Sequence, residues 1–223
     1  MIIALKFLLV TVIGYLLGSI PFGQLVGRRS TGTDIRKHGS GRTGATNVLR
    51  TAGRKAAVLV ASLDVIKGML AVVIAGLIVG NNYLIVGNFG LGMLVAQVMA
   101  ALAAMAGHIW PVFLGFRGGR GVATFFGGLV ALCPAAALFG GEILIIGAGL
   151  SGYASLGSIV GAVGAYAMMI PLTLMNGFPV EYLIYTLVGT IIVIVMHRDN
   201  IGRLLSGTER RLSQKLSHRE KQT

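Results

Sequence analysis

The sequence predicts an all-α integral membrane protein of seven transmembrane helices, with its N-terminus outside and its C-terminus in the cytoplasm. Three observations predict it. Apolar residues make up 55% of the 223-residue chain and charged residues only 12%, about half the usual charged share. Mean hydropathy is +0.82. The apolar residues come in continuous runs near the ~20 residues that cross ~30 Å of hydrocarbon, not in the alternation of a closed barrel. These features exclude an ordinary soluble domain, a disordered chain and a disulfide scaffold. Cys133 is the only cysteine, so no internal disulfide can form.

The runs follow in order. Ile2 to about Gly27 is too long for a signal-peptide core and reads as the first span. Ala56–Gly80 is the second and Tyr83 to about Ala106 the third. Val122 to about Phe139 is the fourth, and Glu142–Leu150 a short, glycine-broken fifth. Leu156–Met175 and Glu181–Met196 complete the set. The chain thus divides into a membrane domain, residues 1–205, and a polar, basic tail, residues 206–223. Glycine, at 34 residues, suits helices that approach one another closely.

Charge sets the orientation. The segment Arg28–Lys55 holds eight Lys and Arg residues, the loop after the third span adds Arg117 and Arg120, and the tail from His197 holds seven more. Under the seven-span count these all fall on one face, which the positive-inside rule makes cytoplasmic. Without the fifth span the basic tail would lie outside.

The polar residues of that face gather in clusters. Asp34 to Asn47, followed by Arg50, carries Gly39, Ser40, Gly41, Thr43, Gly44 and Thr46. Such a run can present successive backbone N–H groups to an anion, with Arg36, Lys37, Arg42 and Arg50 around it. It lacks the Gly-Lys-Ser/Thr ending of a Walker A loop. The run from His108 to Thr124 places Arg117 and Arg120 among glycines ahead of the fourth span. Arg117-Gly-Gly-Arg120-Gly also looks like a fragment of an RNA-binding RGG segment, but those are repeated and disordered, and this one is held between spans. No nucleic-acid partner is expected.

Asp64 and Lys67 lie three residues apart inside the second span. Ionisable groups in hydrocarbon are usually paired, so they read as an ion pair, bracing or functional. Ser151, Tyr153, Ser155 and Ser158 cluster at the next cytoplasmic junction, and His197 stands near Asn200 at the end of the last span. The four histidines are scattered and the cysteine is alone, so no metal site is expected. The substrate that fits is anionic, with an apolar partner entering from lipid. A transporter of a phosphorylated solute and a non-catalytic binder of anionic lipid are the competing classes.

The ordered motifs resemble the acyl-phosphate-dependent glycerol-3-phosphate acyltransferases of bacteria, the PlsY family. The matching stretches are Gly18-Ser-Ile-Pro-Phe-Gly23, Asp34-Ile-Arg, Gly39-Ser-Gly, Gly44-Ala-Thr-Asn47 with Arg50, and Asp64-Val-Ile-Lys-Gly68. They continue with His108-x-x-Pro-x-Phe, Phe116-Arg-Gly-Gly-Arg-Gly-Val-Ala-Thr124, the Tyr153/Ser155/Ser158 cluster, His197-x-x-Asn-Ile-x-Arg203 and Gly207-x-Glu209. The resemblance implies transfer of a fatty acyl group from acyl phosphate to the 1-hydroxyl of glycerol 3-phosphate in a bacterial cell membrane, without a cofactor. It implies that Ser40, Gly41, Gly44, Thr46 and Asn47 cradle the donor phosphate. Arg50, Arg120, Ser155, His197 and Asn200 then hold glycerol 3-phosphate, and Arg117 is carried over as a further phosphate contact. His197 orients the hydroxyl or acts as base, a task the substrate's own phosphate could also perform. Two departures stand out. Arg117 and Arg120 replace the family's two lysines, and Arg42 replaces its usual asparagine, the mark of a diverged paralogue. From sequence alone, Arg42→Asn is expected to retain or raise activity.

Overall fold

Residues 2–86 and 89–212 are described by the computed structural model, which is mostly helical. Helix α1 (Ile2–Ser19) is followed by α2 (Phe22–Thr31), α3 (Ala45–Ala52) and α4 (Arg54–Val79). A small antiparallel hairpin, β1 (Leu84–Val86) and β2 (Phe89–Leu91), leads into α5 (Met93–Ile109). Then come α6 (Val122–Leu132), α7 (Pro134–Ser151), α8 (Ala154–Asn176), α9 (Val180–Met196) and α10 (Arg198–Leu205). By length and composition five of these segments can cross a membrane, or six if the bent pair α9 and α10 counts as one span.

Two expected boundaries change, each at a recognisable breaker. The first span holds as one candidate crossing, Ile3–Thr31, with a break between α1 and α2 at Pro21, because proline has no N–H and restricts the residue before it. The third does not start at Tyr83. Residues 84–86 and 89–91 pair as strands, with Leu84 opposite Leu91, and α5 begins only at Met93. Glycines 87, 90 and 92 and the β-branched pair Ile85–Val86 disfavour helix there. The fourth and fifth runs divide at Cys133–Pro134, not near Gly140. Helix α6 is therefore 11 residues long, about 16 Å at 1.5 Å per residue, and α7 takes 18. Pro134 sits at the first position of α7, where its missing N–H is harmless.

Hydrocarbon supplies no hydrophobic drive between helices, so close packing must hold them. Small residues provide it. A Cβ on Gly18 of α1 would land on the Ala104 carbonyl of α5, and one on Gly107 of α5 would land on the Tyr15 carbonyl of α1. Gly68 and Gly127 bring α4 and α6 together in the same way, and Gly140, Gly157 and Gly161 do so for α7 and α8. Gly18→Leu is therefore expected to destabilise the protein by about 3 kcal/mol, since overpacking costs ~1–3 kcal/mol. Thermal unfolding in detergent checks this.

The largest apolar cluster joins α5, α6, α8 and α9 through Met105, Phe125, Leu129, Met169, Tyr185 and Val193. The buried Tyr185 ring stacks on Phe125 at 5.6 Å between centroids, and its hydroxyl donates to the Phe125 carbonyl at 2.8 Å. Thr190 donates to the Ala162 carbonyl at 3.0 Å, tying α9 to α8. These contacts pack α6, α8 and α9 together, and the polar site lies at the starts of α6 and α8 and the C-terminal end of α9.

Candidate active site

The first loop is built around Asn47. Its buried side chain accepts from the Ser40 backbone N–H at 2.9 Å and donates to the carbonyls of Ile35, His38 and Arg42 at 3.0, 3.2 and 2.9 Å. Gly39 has φ +60°, and a Cβ there would collide with Asn47 Oδ1. So the glycine and the asparagine, eight positions apart, form one turn. The amide of Asn47 is spent on that turn. It shapes the loop, and Asn47 also lines the apolar groove described below. Gly41, at φ +67°, completes the turn and lines neither cavity described below. Ser40, Thr46 and the N-terminus of α3 at Gly44 do line them. At the loop's start the Arg36 guanidinium beside Asp34 holds that carboxyl at about 2.

The second loop folds back on α5. The N–H groups of Gly118 and Gly119 donate to the carbonyls of Ile109 and His108, each at 3.0 Å. Side chains at either glycine would strike His108. This close pass turns Arg120 inward and leaves Arg117 exposed, lining neither cavity. Of the two arginines expected at a phosphate, Arg120 lines both cavities.

Asp64 and Lys67 pair at 2.8 Å, fully enclosed. His108 joins them, its Nδ1 lying 3.4 Å from the Asp64 carboxylate, and Lys67 also donates to the Ile20 carbonyl at 3.2 Å. The pair is therefore a cluster that links α4, α5 and the break after α1. His108 was missed as its third member because nothing in sequence spacing joins it to Asp64.

Two cavities meet beside these elements. A polar one of about 310 Å³ is walled by Arg42, Arg50, Arg120, Arg203 and Arg210 against two carboxylates, Asp199 and Glu209. Ser155, His197 and Asn200 line it too. An apolar groove of about 490 Å³ runs along Val122, Phe126, Val130, Leu138, Leu144 and Ile145. Six residues line both: Ser40, Arg42, Thr46, Arg120, Ser158 and His197.

Glu209 organises the polar cavity. Ser155 donates to it at 2.8 Å, Asn200 Nδ2 at 2.6 Å and Arg203 Nε at 2.8 Å. Burial alone would raise the Glu209 pKa, but these three donors outweigh it and hold the carboxyl below its ordinary range. The segment that carries it folds over the site: Arg210 donates to the Gly39 carbonyl at 2.6 Å, Arg50 to the Arg210 carbonyl at 3.2 Å, and the Leu212 N–H to the Gly152 carbonyl at 2.8 Å. Residues 213–223, the rest of the expected tail, lie outside the described residues.

These bonds decide what each side chain has left to offer. The Ser155 hydroxyl proton is committed to Glu209, so that oxygen faces the cavity as an acceptor. Among the described residues, Asn200 Oδ1 is buried and unpartnered, as are Arg50 Nε and Arg120 Nε. His197 Nδ1 lies 2.8 Å from the Val193 carbonyl. A carbonyl can only accept, so Nδ1 carries the proton and Nε2 keeps its lone pair. Burial, with Arg120 and Arg42 nearby, pulls His197 down to about 4, against the Val193 bond and Glu209. Arg120, lowered to about 10 mainly by burial, stays charged at neutral pH. A base with a depressed pKa takes its proton only below that value, so His197 stays neutral from pH 8 to about 5. Histidine NMR, with the signal assigned by His197→Gln, checks this; a titration near 6.5 would contradict it.

Cationic walls with buried N–H groups suit an anion, acceptor atoms suit hydroxyls, and the adjoining groove is apolar. Fold and site together define a multi-pass membrane protein with a cationic cavity adjoining an apolar groove. A family model for glycerol-3-phosphate acyltransferase matches residues 8–207. Glycerol-3-phosphate acyltransferase 3 of Dehalococcoides mccartyi (strain CBDB1) is 68% identical over 94% of this chain and 97% of its own. Glycerol-3-phosphate acyltransferase of Clostridioides difficile (strain 630) is 41% identical over 94% and 97%. A crystal structure of PlsY (YgiH), an integral membrane glycerol 3-phosphate acyltransferase in its glycerol 3-phosphate form, is 37% identical with a TM-score of 0.79, covering 92% of this chain and 94% of the other. The chain belongs to the glycerol-3-phosphate acyltransferase family, in its PlsY branch.

Proposed function

We propose that this protein transfers a fatty acyl group from acyl phosphate to the 1-hydroxyl of sn-glycerol 3-phosphate, giving 1-acyl-glycerol 3-phosphate and inorganic phosphate. Glycerol-3-phosphate acylation in phospholipid synthesis follows from family membership. The single observation that carries the donor is the wall shared by the polar cavity and the apolar groove. A molecule that fills both must join a hydrocarbon tail to an anionic head, and acyl phosphate does so within one small group.

Acyl phosphate is an activated anhydride, so the chain needs no covalent intermediate. Its work is to place two anions together and to stabilise developing charge. In this reading the donor phosphate lies by Ser40, Thr46 and the start of α3 at Gly44. The phosphate of glycerol 3-phosphate lies against Arg50 and Arg120. Its hydroxyls donate to Asn200 Oδ1, Ser155 Oγ and His197 Nε2, the acceptors still free. A histidine held at about 4 is a weak base, and a phosphate with second pKa ~6 is a stronger one. His197 therefore orients the 1-hydroxyl, and its proton passes to a substrate phosphate.

The site faces the cytoplasm in this reading, with seven crossings and the N-terminus outside. The support is the positive-inside rule applied to Arg28–Lys55 and the C-terminal arginines, with α6 as a short crossing beside α4. Residues 1–205 act as the membrane domain. The experiment is phosphate release by the purified protein, with palmitoyl phosphate or palmitoyl-CoA as donor. Release with palmitoyl phosphate that requires glycerol 3-phosphate supports the reading. Acylation by the CoA ester alone would overturn the donor.

A further inference from the structure

Arg42 has no task in the account so far. Its backbone is fixed, because its carbonyl accepts from buried Asn47 Nδ2 at 2.9 Å. Its side chain is unassigned: among the described residues no carboxylate pairs with it and no hydrogen bond ends on its guanidinium. Yet it lines both the polar cavity and the apolar groove. Of the six residues on the shared wall, only Arg42 and Arg120 carry a fixed positive charge. Their fields overlap, since the charge of Arg42 lowers the pKa of Arg120 and of His197. Two guanidinium groups in one wall repel each other, as the lowering of Arg120 by Arg42 shows. An anion placed there relieves that repulsion and accepts from both forks.

The group that sits at this wall, on the donor reading above, is the phosphate of acyl phosphate. We propose that Arg42 is a specificity-determining contact to the donor and leaving phosphate, opposing Arg120 across the shared wall. The chemical step makes its value plain. The 1-hydroxyl oxygen of glycerol 3-phosphate forms a bond to the acyl carbon, and the bond from that carbon to the phosphate oxygen breaks. The bonding pair stays with the phosphate, and the hydroxyl proton ends on a phosphate, so acyl phosphate and alcohol become ester and hydrogen phosphate. Negative charge grows on the leaving phosphate throughout, and a guanidinium fixed beside it stabilises that growth. The same clamp holds free inorganic phosphate, so product inhibition belongs to the same residue. This reverses the expectation from sequence that Arg42→Asn is harmless.

The test is made on the purified full-length protein with Arg42→Asn, Arg42→Gln and Arg42→Lys. The expected result is a rise of about tenfold in KM for palmitoyl phosphate and in the inhibition constant of inorganic phosphate in both neutral variants. KM for glycerol 3-phosphate stays within about twofold, and lysine restores part of the loss. Wild-type values of both donor KM and phosphate inhibition in the neutral variants would overturn the proposal, as would a change confined to glycerol 3-phosphate. If a neutral variant has no measurable turnover, calorimetric titration with inorganic phosphate decides: a tenfold weaker affinity supports the clamp, and unchanged affinity removes it. The two readings fail separately. A wild-type protein without activity on palmitoyl phosphate contradicts the donor assignment, whereas an active wild type with indifferent Arg42 variants contradicts only the role of Arg42.

Discussion

Replacing Arg120 with alanine is expected to lower kcat/KM by roughly a hundredfold to a thousandfold, the range for removing one preorganised charge-stabilising donor. Arg120 lines both cavities, and its buried Nε has no partner among the described residues. In the proposed reading it contacts both anions at the place where they react. Arg120→Lys should recover part of the loss, because it keeps the charge but not the fork. Arg50→Ala and His197→Ala, each facing the polar cavity, should lower turnover by at least about tenfold, the gain usual for a single positioned donor or acceptor. The phosphate-release assay reads all four, with thermal unfolding as the check on folding. Near-wild-type turnover in Arg120→Ala would remove the shared wall from the chemistry.

The second large effect is on stability. Asp64→Ala should destabilise the protein by about 3–5 kcal/mol, because it leaves the enclosed Lys67 ammonium without its carboxylate. Removing one partner of a buried pair costs more than removing both. The double change Asp64→Ala with Lys67→Met should therefore recover much of the loss. His108 sits against the same carboxylate, so Asp64→Ala also loosens the seat on which Gly118 and Gly119 turn. Arg120 is then misplaced, and turnover falls by more than the fraction unfolded. Unfolding in detergent and turnover at a temperature where both proteins are folded separate these effects. An unchanged melting temperature in Asp64→Ala would contradict the bracing role.

Much of this architecture was legible in the sequence, because continuous apolar runs and intramembrane charges are strong signals. The failures have local causes. Averaged hydropathy passes over a single proline, so Pro134 was read through, although it starts a new helix. The run from Tyr83 is apolar enough for a span, but its glycines favour a hairpin. Arg117 and Arg120 look equivalent in sequence. Only the backbone path separates them, with Phe116 at φ +62° and Gly121 at φ +83° turning the loop between. Asn47 was placed in the right cluster, but that its amide holds the whole loop could be read only from its bonds to Ile35, His38, Ser40 and Arg42. Glu209 stood in the matching motif without a task. Its partners Ser155 and Asn200 lie 54 and 9 positions away, and only tertiary structure brings them together.

The most direct measurement is a structure of the protein with glycerol 3-phosphate and a non-hydrolysable acyl phosphonate bound together. The predicted result places the glycerol 3-phosphate phosphate on Arg50 and Arg120, and its hydroxyls on Asn200, Ser155 and His197. The phosphonate lies at the wall of Ser40, Arg42, Thr46 and Arg120, with its chain along Val122, Phe126 and Leu138. A chain lodged outside that groove, or the two anions bound more than one residue layer apart, would contradict the account.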